Sequence, residues 1–402
     1  MPLHILSIST LFPSPPRPAF GKFVANQMRA VAELPHHQNG EINLTIINPI
    51  GIPPWPLSIR SPYNSLKTCP KTSSLGPLTI HHPRFPLIPL IGGDSNPARI
   101  ARAILPLVRR LHAENPFHLI DAQFFFPDGP AAMHIARALN LPFSIKARGS
   151  DIHFWSGRPR ALAQIQAAAR AAAGILSVSA ALRSDMAALG LPADKITVHY
   201  TGLDHAKFQP TPRRDARAKL SELLNLTLPN DAPLLVCPGA LIAIKGQSLA
   251  ISALTELPTA HLAFAGTGPD EPTLRAQTAT LGLKNRVHFL GQVSHDHLPI
   301  LMSAADAVVL PSEREGLANV WIEALACGAP LVIPNIGGAA EIVTTPAAGR
   351  LAERTPAAIA AAITEILKNP PAQAQTSANA ARFSWANNAA QLVEYWRQIA
   401  SI

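Results

Sequence analysis

The sequence predicts an α/β protein made of two doubly wound, parallel-sheet domains, and three observations carry that prediction. Short apolar runs of strand length alternate with Ala- and Leu-rich stretches of helical length throughout the chain, the pattern of βαβ units with helices on both sheet faces. About eleven such runs can be counted, more than one doubly wound sheet ordinarily holds. The chain is also 402 residues long, more than one ordinary core accommodates.

The expected strands of the first domain are His4–Ser9, Leu44–Asn48, His118–Asp121, Phe143–Ala147, Gly174–Ser177 and Ile196–His199. Those of the second are Leu234–Pro238, Leu262–Ala265, Val287–Leu290, Ala307–Leu310 and Pro330–Pro334. Between them helices are expected over Lys22–Glu33, Ala98–Glu114, Pro130–Leu139, Arg158–Ala172, Ala180–Leu189, Gln247–Glu256 and Glu271–Leu281. The first domain is read as residues 1–204 and the second as 205–383, starting with the polar stretch His205–Arg214. Residues 384–402 form an amphipathic helix anchored by Trp385, Leu392, Tyr395 and Trp396, expected to pack back toward the first domain. Seventeen of the 40 prolines lie in the first hundred residues, many of them between Asn48 and Pro97. Segments such as Pro53-Pro-Trp-Pro56 and His81-His-Pro-Arg-Phe-Pro86 cannot sustain helices or central strands, so this stretch reads as a long, semi-rigid, partly exposed loop inserted in the first domain. Such a loop either lines a substrate cleft or is a tolerated insertion.

Composition narrows the class. Hydrophobic residues make up 48% and charged residues 15%, and no apolar run reaches the roughly 18 residues that a bilayer demands. The start, Met1 to Thr10, reads as a buried first strand and not as a signal peptide. Three scattered cysteines, Cys69, Cys237 and Cys327, without metal-ligand spacing, fit a reduced, cytoplasmic protein. Residues 1–200 carry 19 Lys/Arg against 9 Asp/Glu, whereas residues 201–402 carry 15 against 16. One half therefore faces something anionic (a membrane surface, a lipid phosphate or an acidic glycan), or else it carries a solvated basic face with no partner. Nucleic acid is not expected, because the basic residues lack aromatic interleaving.

The stretch richest in chemistry is Ser312-Glu-Arg-Glu-Gly-Leu-Ala-Asn-Val-Trp-Ile-Glu-Ala-Leu-Ala-Cys-Gly328, which follows a strand and Pro311. Gly316 permits a tight turn, Asn319 is placed to cap a helix, and a loop that feeds a helix N-terminus is a ready phosphate site. Glu315 in the loop and Glu323 one turn into the helix are carboxylates suited to adjacent hydroxyls of a sugar or ribose; an acidic helix start with ordinary capping is the alternative. Ala265-Gly-Thr-Gly-Pro-Asp-Glu-Pro272 lacks the third glycine of a dinucleotide fingerprint, which argues against a dehydrogenase. His295, His297 and the pairs His36-His37 and His81-His82 lack metal-site spacing and read as solvated, and no metal site is expected.

Glu315-x7-Glu323, with Ala324 to Val332 and Gly337-Gly-Ala-Ala-Glu341-Ile-Val343, resembles the donor site of family-4 retaining glycosyltransferases. The likeness runs in order over nearly the whole chain: Gly21 after the first strand, Arg148-Gly-Ser-Asp151, Ser177-Val-Ser-Ala180, Tyr200-Thr-Gly-Leu-Asp204, Gly239 to Gly246, Ala265 to Pro269, and Phe289 to Gln292. It implies the GT-B fold, two Rossmann-like domains facing a central cleft. By the same resemblance Glu323 holds the donor ribose, Glu315 the transferred sugar, and the backbone of Gly316, Leu317, Ala318, Asn319 and Val320 the phosphate and sugar. Lys245 neutralises the departing diphosphate, while Gly21, Arg148, Gly239 and Gly266 complete the donor-binding set. A nucleotide diphosphate sugar serves as co-substrate without a metal or other cofactor. The acceptor implied is an anionic glycan or a lipid-linked saccharide at the inner membrane face, with possible peripheral contact there.

The chain departs from the family pattern twice. Ala240 stands where an Arg usually supplies a second phosphate-binding cation, and Arg148 stands where a His usually helps to bind the sugar. Arg148 either takes over that role or contacts phosphate, or it pairs structurally with Asp151. The first departure keeps open a second reading, a catalytically silent homologue that serves as a binding or partner subunit.

Overall fold

The computed structural model describes every residue except Met1, Pro62, Leu90, Ile91, Asn230, Ser401 and Ile402. The chain divides into two compact units, Met1–Gly202 with Trp385–Ile402, and Leu203–Ser384.

The strands of the first unit are β1 (Leu3–Ile8), β2 (Ile42–Ile47), β3 (Ile50–Ile52), β4 (Thr72–Leu75), β5 (Leu78–His81), β6 (Arg84–Pro86), β7 (Leu119–Ala122), β8 (Phe143–Ala147), β9 (Gly174–Ser177) and β10 (Ile196–Val198). Eight of them form one sheet in the order β10-β9-β8-β7-β1-β2-β5-β4, while β3 and β6 pair as a separate two-stranded parallel sheet. All neighbours in the large sheet are parallel except β4 and β5, which make an antiparallel hairpin. Every residue of β1 is buried, as expected for a central strand covered on both faces, and this accounts for its nearly unbroken apolar sequence. Helix Asn96–Glu114 buries Ile100, Ile104 and Val108, spaced four apart on one face. The last helix, Trp385–Ala400, contributes Leu392, Val393 and Trp396 to the same buried cluster as Ile5 of β1 and Met28 of helix Lys22–Glu33.

The second unit holds β11 (Leu234–Pro238), β12 (His261–Ala265), β13 (Val287–Phe289), β14 (Ala307–Val309), β15 (Leu331–Ile333) and β16 (Gly349–Leu351). They form one sheet in the order β13-β12-β11-β14-β15-β16, parallel throughout. The chain builds outward from β11 to β13, then returns to lay β14 on the other side of β11. Connections leaving β11 and β14 therefore diverge, and a crevice opens at the carboxyl ends of these two strands, where doubly wound sheets bind ligands. In the first unit the same reversal falls between β1 and β7.

The eleven expected strands correspond to β1, β2 and β7 to β15, while β3 to β6 and β16 were not foreseen. The reading of the stretch between Asn48 and Pro97 as a loop is corrected by β3 to β6, of which β5 is bonded to β2 on one side and β4 on the other. Pro77 and Pro83 fall just outside β5, so its ladder loses no donor. His82, read as solvated, is buried, with Nδ1 3.0 Å from Asn48 Oδ1 and Nε2 2.8 Å from Ser73 Oγ.

Candidate functional site

Two loops meet at the crevice of the second unit. The loop after β11 runs from Gly239 to Lys245, which ends a short 3-10 turn, Ala243–Lys245. Gly246 follows at φ 68°, and a Cβ there would stand 2.3 Å from the carbonyl oxygen of Pro311, at the start of the loop after β14. Only glycine tolerates both the left-handed backbone and this approach. The Glu313 amide closes the contact by donating to the Ile244 carbonyl at 2.7 Å. As a result, Lys245 Nζ and Glu315 Oε1 lie 2.5 Å apart, with side chains 24% and 15% exposed. An ion pair half out of water is held more firmly than a surface pair, yet it stays accessible to an incoming anion.

Glu315 is fixed from behind. Gly337, at φ 47°, lies so close that a Cβ would be 2.1 Å from the Glu315 carbonyl oxygen, and the Gly338 amide donates to Gly316 O at 2.7 Å. The chain then enters helix Asn319–Ala326, which buries Trp321, Ile322 and Leu325. Asn319 is not its cap. Extended Ala318 occupies that position (φ −72°, ψ 122°), no side chain caps the helix, and Asn319 is its first residue. Ala318, Asn319 and Val320 are half-buried, and Leu317 before them is buried. An uncapped helix start presents N–H groups and a positive dipole end to any bound oxyanion. Behind Lys245, the turn holding Gly266 packs so tightly that a Cβ there would sit 1.9 Å from Gly239 O.

Glu323 lies one turn into the helix, and His295, partly exposed, stands across from it. His295 Nε2 is 3.7 Å from Glu323 Oε1, its ring meets Phe208 edge-on at 5.2 Å, and its buried Nδ1 has no protein partner. A lone His that meets a carboxylate from a distant helix carries no signal in the local spacing of the sequence. Arg354, equally unmarked in the sequence, donates from Nε to Pro311 O at 3.1 Å, the carbonyl that packs on Gly246. Ala240 is exposed, and Arg314, 57% exposed, lies 3.4 Å from its neighbour Glu313. Burial pushes the Cys237 and Cys327 thiols up to about 12, which leaves neither as a nucleophile. Among the described residues no group of three His, Cys, Asp or Glu side chains is placed to hold a metal ion.

Gly21 and Arg148 belong to the first unit, at the carboxyl ends of β1 and β8. Gly21 starts helix Lys22–Glu33 at φ 67°, and a Cβ there would lie 2.4 Å from Leu11 O. The Arg148 guanidinium donates to Gln123 O (2.7 Å), Gln123 Oε1 (2.7 Å) and Gln27 Oε1 (3.0 Å), and stacks over Phe23 at 4.9 Å. Asp151 bonds instead to backbone amides, those of Phe125 (2.7 Å), Gly149 (2.8 Å) and Arg148 itself (3.0 Å). Arg148 and Asp151 are thus joined through the main chain, not through the guanidinium. Burial lowers the Arg148 pKa to about 10, still high enough to keep its charge at neutral pH. Deeper in, Lys146 Nζ bonds to His199 Nδ1 at 2.7 Å, and burial holds both pKa values well below their usual ranges.

Residues 224–383 match the family model for glycosyl transferases group 1, and residues 68–207 match that for glycosyltransferase family 4. A GDP-mannose-dependent alpha-(1-6)-phosphatidylinositol monomannoside mannosyltransferase of Mycolicibacterium smegmatis is 33% identical over 228 residues, 54% of this chain and 58% of that protein. The protein of the same name from Mycobacterium tuberculosis is 30% identical over 310 residues, 72% of this chain and 78% of its own. The structure of Anabaena Alr3699/HepE in complex with UDP shares the fold at a TM-score of 0.72 and 20% identity, over 98% of this chain and 100% of that one. With both family models matched in order and a 30% identical relative aligned across most of its length, this chain belongs to glycosyltransferase family 4 and has the GT-B fold.

Proposed function

We propose that this family member is a retaining glycosyltransferase that moves a sugar from a nucleotide diphosphate sugar to a glycan or lipid-linked acceptor in cell-surface polysaccharide synthesis. The observation that carries the reading is the Lys245–Glu315 pair, set at the switch point of the second unit beside an uncapped helix. Related names support the donor class: the mycobacterial relatives are named for GDP-mannose, a nucleoside diphosphate sugar, and the Anabaena structure holds UDP, a nucleoside diphosphate. Glu323 accepts the ribose hydroxyls, and Glu315 the hydroxyls of the transferred sugar. The amides from Gly316 to Val320 hold phosphate and sugar, and Gly239 and Gly266 let the backbone come close.

The bond between the anomeric carbon and the diphosphate oxygen breaks as the acceptor oxygen bonds to that carbon on the same face. The acceptor's proton passes to the departing phosphate, so no separate base is needed. Negative charge grows on the diphosphate, and Lys245 with the helix dipole offsets it; a fixed donor in such a site is worth about 2.7–4 kcal/mol. In this reading Lys245, not a metal, supplies the cation, while Gly21 and Arg148 hold the loops of the first unit in place. The acceptor lies at the cytoplasmic face of a membrane, which suits a first half with 19 Lys/Arg against 9 Asp/Glu. No helix among the described residues is long and apolar enough to cross a bilayer.

The test is a thermal-shift screen of UDP-, GDP- and ADP-sugars, followed by an assay of nucleotide diphosphate release with the Lys245→Ala and Glu323→Gln variants. Unchanged turnover in both variants sinks the reading. Exposed Ala240, in place of a cation, favours the silent-homologue alternative. A donor-induced thermal shift with no nucleotide released from any donor would establish it.

A further inference from the structure

Between β2 and β7 the first unit carries an element that the donor chemistry does not use. Strand β3 leads into Pro53-Pro-Trp-Pro56 and a short 3-10 turn, Leu57–Ile59. Trp55 is 77% exposed, Ile59 57% and Leu57 38%, three large apolar side chains within five residues. Single exposed apolar residues are ordinary on protein surfaces, whereas a clustered tip is not. The tip is held out on a built base: Ser58 is buried and its amide donates to Pro54 O at 3.2 Å. Ile50, Leu66 and Cys69 form a small core of their own beneath it, with Ile52 and Tyr63 packed alongside. Prolines on both sides of Trp55 restrict the backbone, so little conformational freedom remains to be lost on docking.

Charge runs the same way. From Pro49 to Gly93 the chain carries Arg60, Lys67, Lys71 and Arg84 and no Asp or Glu, and all four basic residues are exposed. Arg84 donates to the carbonyls of Lys67 (2.6 Å) and Cys69 (3.4 Å). Its charge meets no carboxylate among the described residues. Beside the tip lies an open groove of about 440 Å³, lined by Ile52, Pro54, Phe85 and Leu87, with Arg84 and Arg99 on its walls. Exposed apolar side chains led by a Trp, in a segment whose only charges are cations, match a bilayer interface, where rings settle at the headgroup level and Lys/Arg meet anionic lipid. An acidic protein partner would satisfy the cations but not three apolar side chains on a protruding tip.

We propose that this element docks the first unit on an anionic lipid bilayer, with Trp55, Leu57 and Ile59 entering the interface and Arg60, Lys67, Lys71 and Arg84 facing the headgroups. It extends the membrane-face part of the proposed function, on which it rests only for the acceptor's location. The test sediments the full chain, without donor, with vesicles of phosphatidylcholine alone or mixed with phosphatidylglycerol. Binding is expected to the mixed vesicles, with release by salt. The double variant W55S/I59S should lose about tenfold in bound fraction, as two interfacial anchors are removed, at an unchanged thermal midpoint. K67S/K71S should lose the preference for anionic lipid. Parent protein that ignores both vesicle types overturns the proposal, as does W55S/I59S binding like the parent. It is also overturned if sedimentation equilibrium shows a dimer that W55S/I59S dissolves, because a second copy then occupies the tip. Donor-dependent nucleotide release is scored separately, so its loss condemns the donor-site reading and leaves docking standing.

Discussion

At the strand reversal of the second unit Lys245 and Glu315 touch each other directly, with side chains 24% and 15% exposed. At the matching reversal of the first unit, Asp121, Asp128, Lys146 and Asp151 are buried, and polar side chains and backbone amides take up their bonds. The same topology thus frames two kinds of charge. A direct pair with access to solvent can exchange one partner for a ligand's oxygen, because the lost attraction is replaced in kind. A buried group bonded to fixed amides cannot leave without orphaning them, and its contribution is to hold the loops in place. The difference teaches that charge at the second reversal should be read out as turnover, and at the first as stability.

The sharpest break of that contrast is Lys245→Ala, expected to cut nucleotide diphosphate release by about 10²–10³-fold with the thermal midpoint kept. Next is Asp128, whose carboxyl is raised to about 7, first by burial and then by neighbouring Asp151. Its ordinary value is near 4 in an unfolded chain, so the folded state holds a proton that the unfolded state releases. Stability must therefore fall as pH rises from about 4 to about 7 and level off above, a loss of a few kcal/mol at most. Asp128→Asn should flatten that slope, as read by denaturant unfolding across the same range; a parallel slope in the variant would assign the dependence elsewhere. Arg148→Ala leaves the oxygens of Gln123 and Gln27 without their donor and should cost about 1–3 kcal/mol of stability. If instead it abolishes turnover at an unchanged midpoint, the first unit's charge is not merely structural and the contrast fails. Smallest is Glu323→Gln, which keeps the shape and removes the charge that accepts ribose hydroxyls. Donor KM should rise about tenfold, the effect of some 1.4 kcal/mol, with kcat little changed.

Most of the frame was legible in sequence, because central strands covered on both faces are mainly apolar, as β11 is throughout and β1 is apart from His4 and Ser7. The pieces missed are those where local chemistry opposes the outcome. β3 and β6 are three residues long and set among prolines, and they survive by pairing with each other outside the large sheet. At the site, the glycines and glutamates announced themselves, but Lys245 and Glu315 are 70 positions apart, and the packing of Gly246 on Pro311 with the Glu313–Ile244 backbone bond brings them together. Asn319 is a good capping residue by type, yet extended Ala318 precedes it, so the chain turns helical one residue too early for that role. His295 and Arg354 gave no signal because each owes its place to tertiary contacts, the first with Glu323 and Phe208 and the second with Pro311.

Helix Trp385–Ala400 has a consequence for how the protein is made. It comes after all of the second unit in the chain but fills the interior of the first, where Trp396 and Leu392 are fully enclosed. A ribosome releases the whole of Leu203–Ser384 before that helix, so the second unit can complete its folding while the first still lacks part of its interior. The N-terminal half is then a nascent intermediate with an open apolar seam along helix Lys22–Glu33, the kind of surface that chaperones cover. A chain stalled before Trp385 would leave that seam exposed for good.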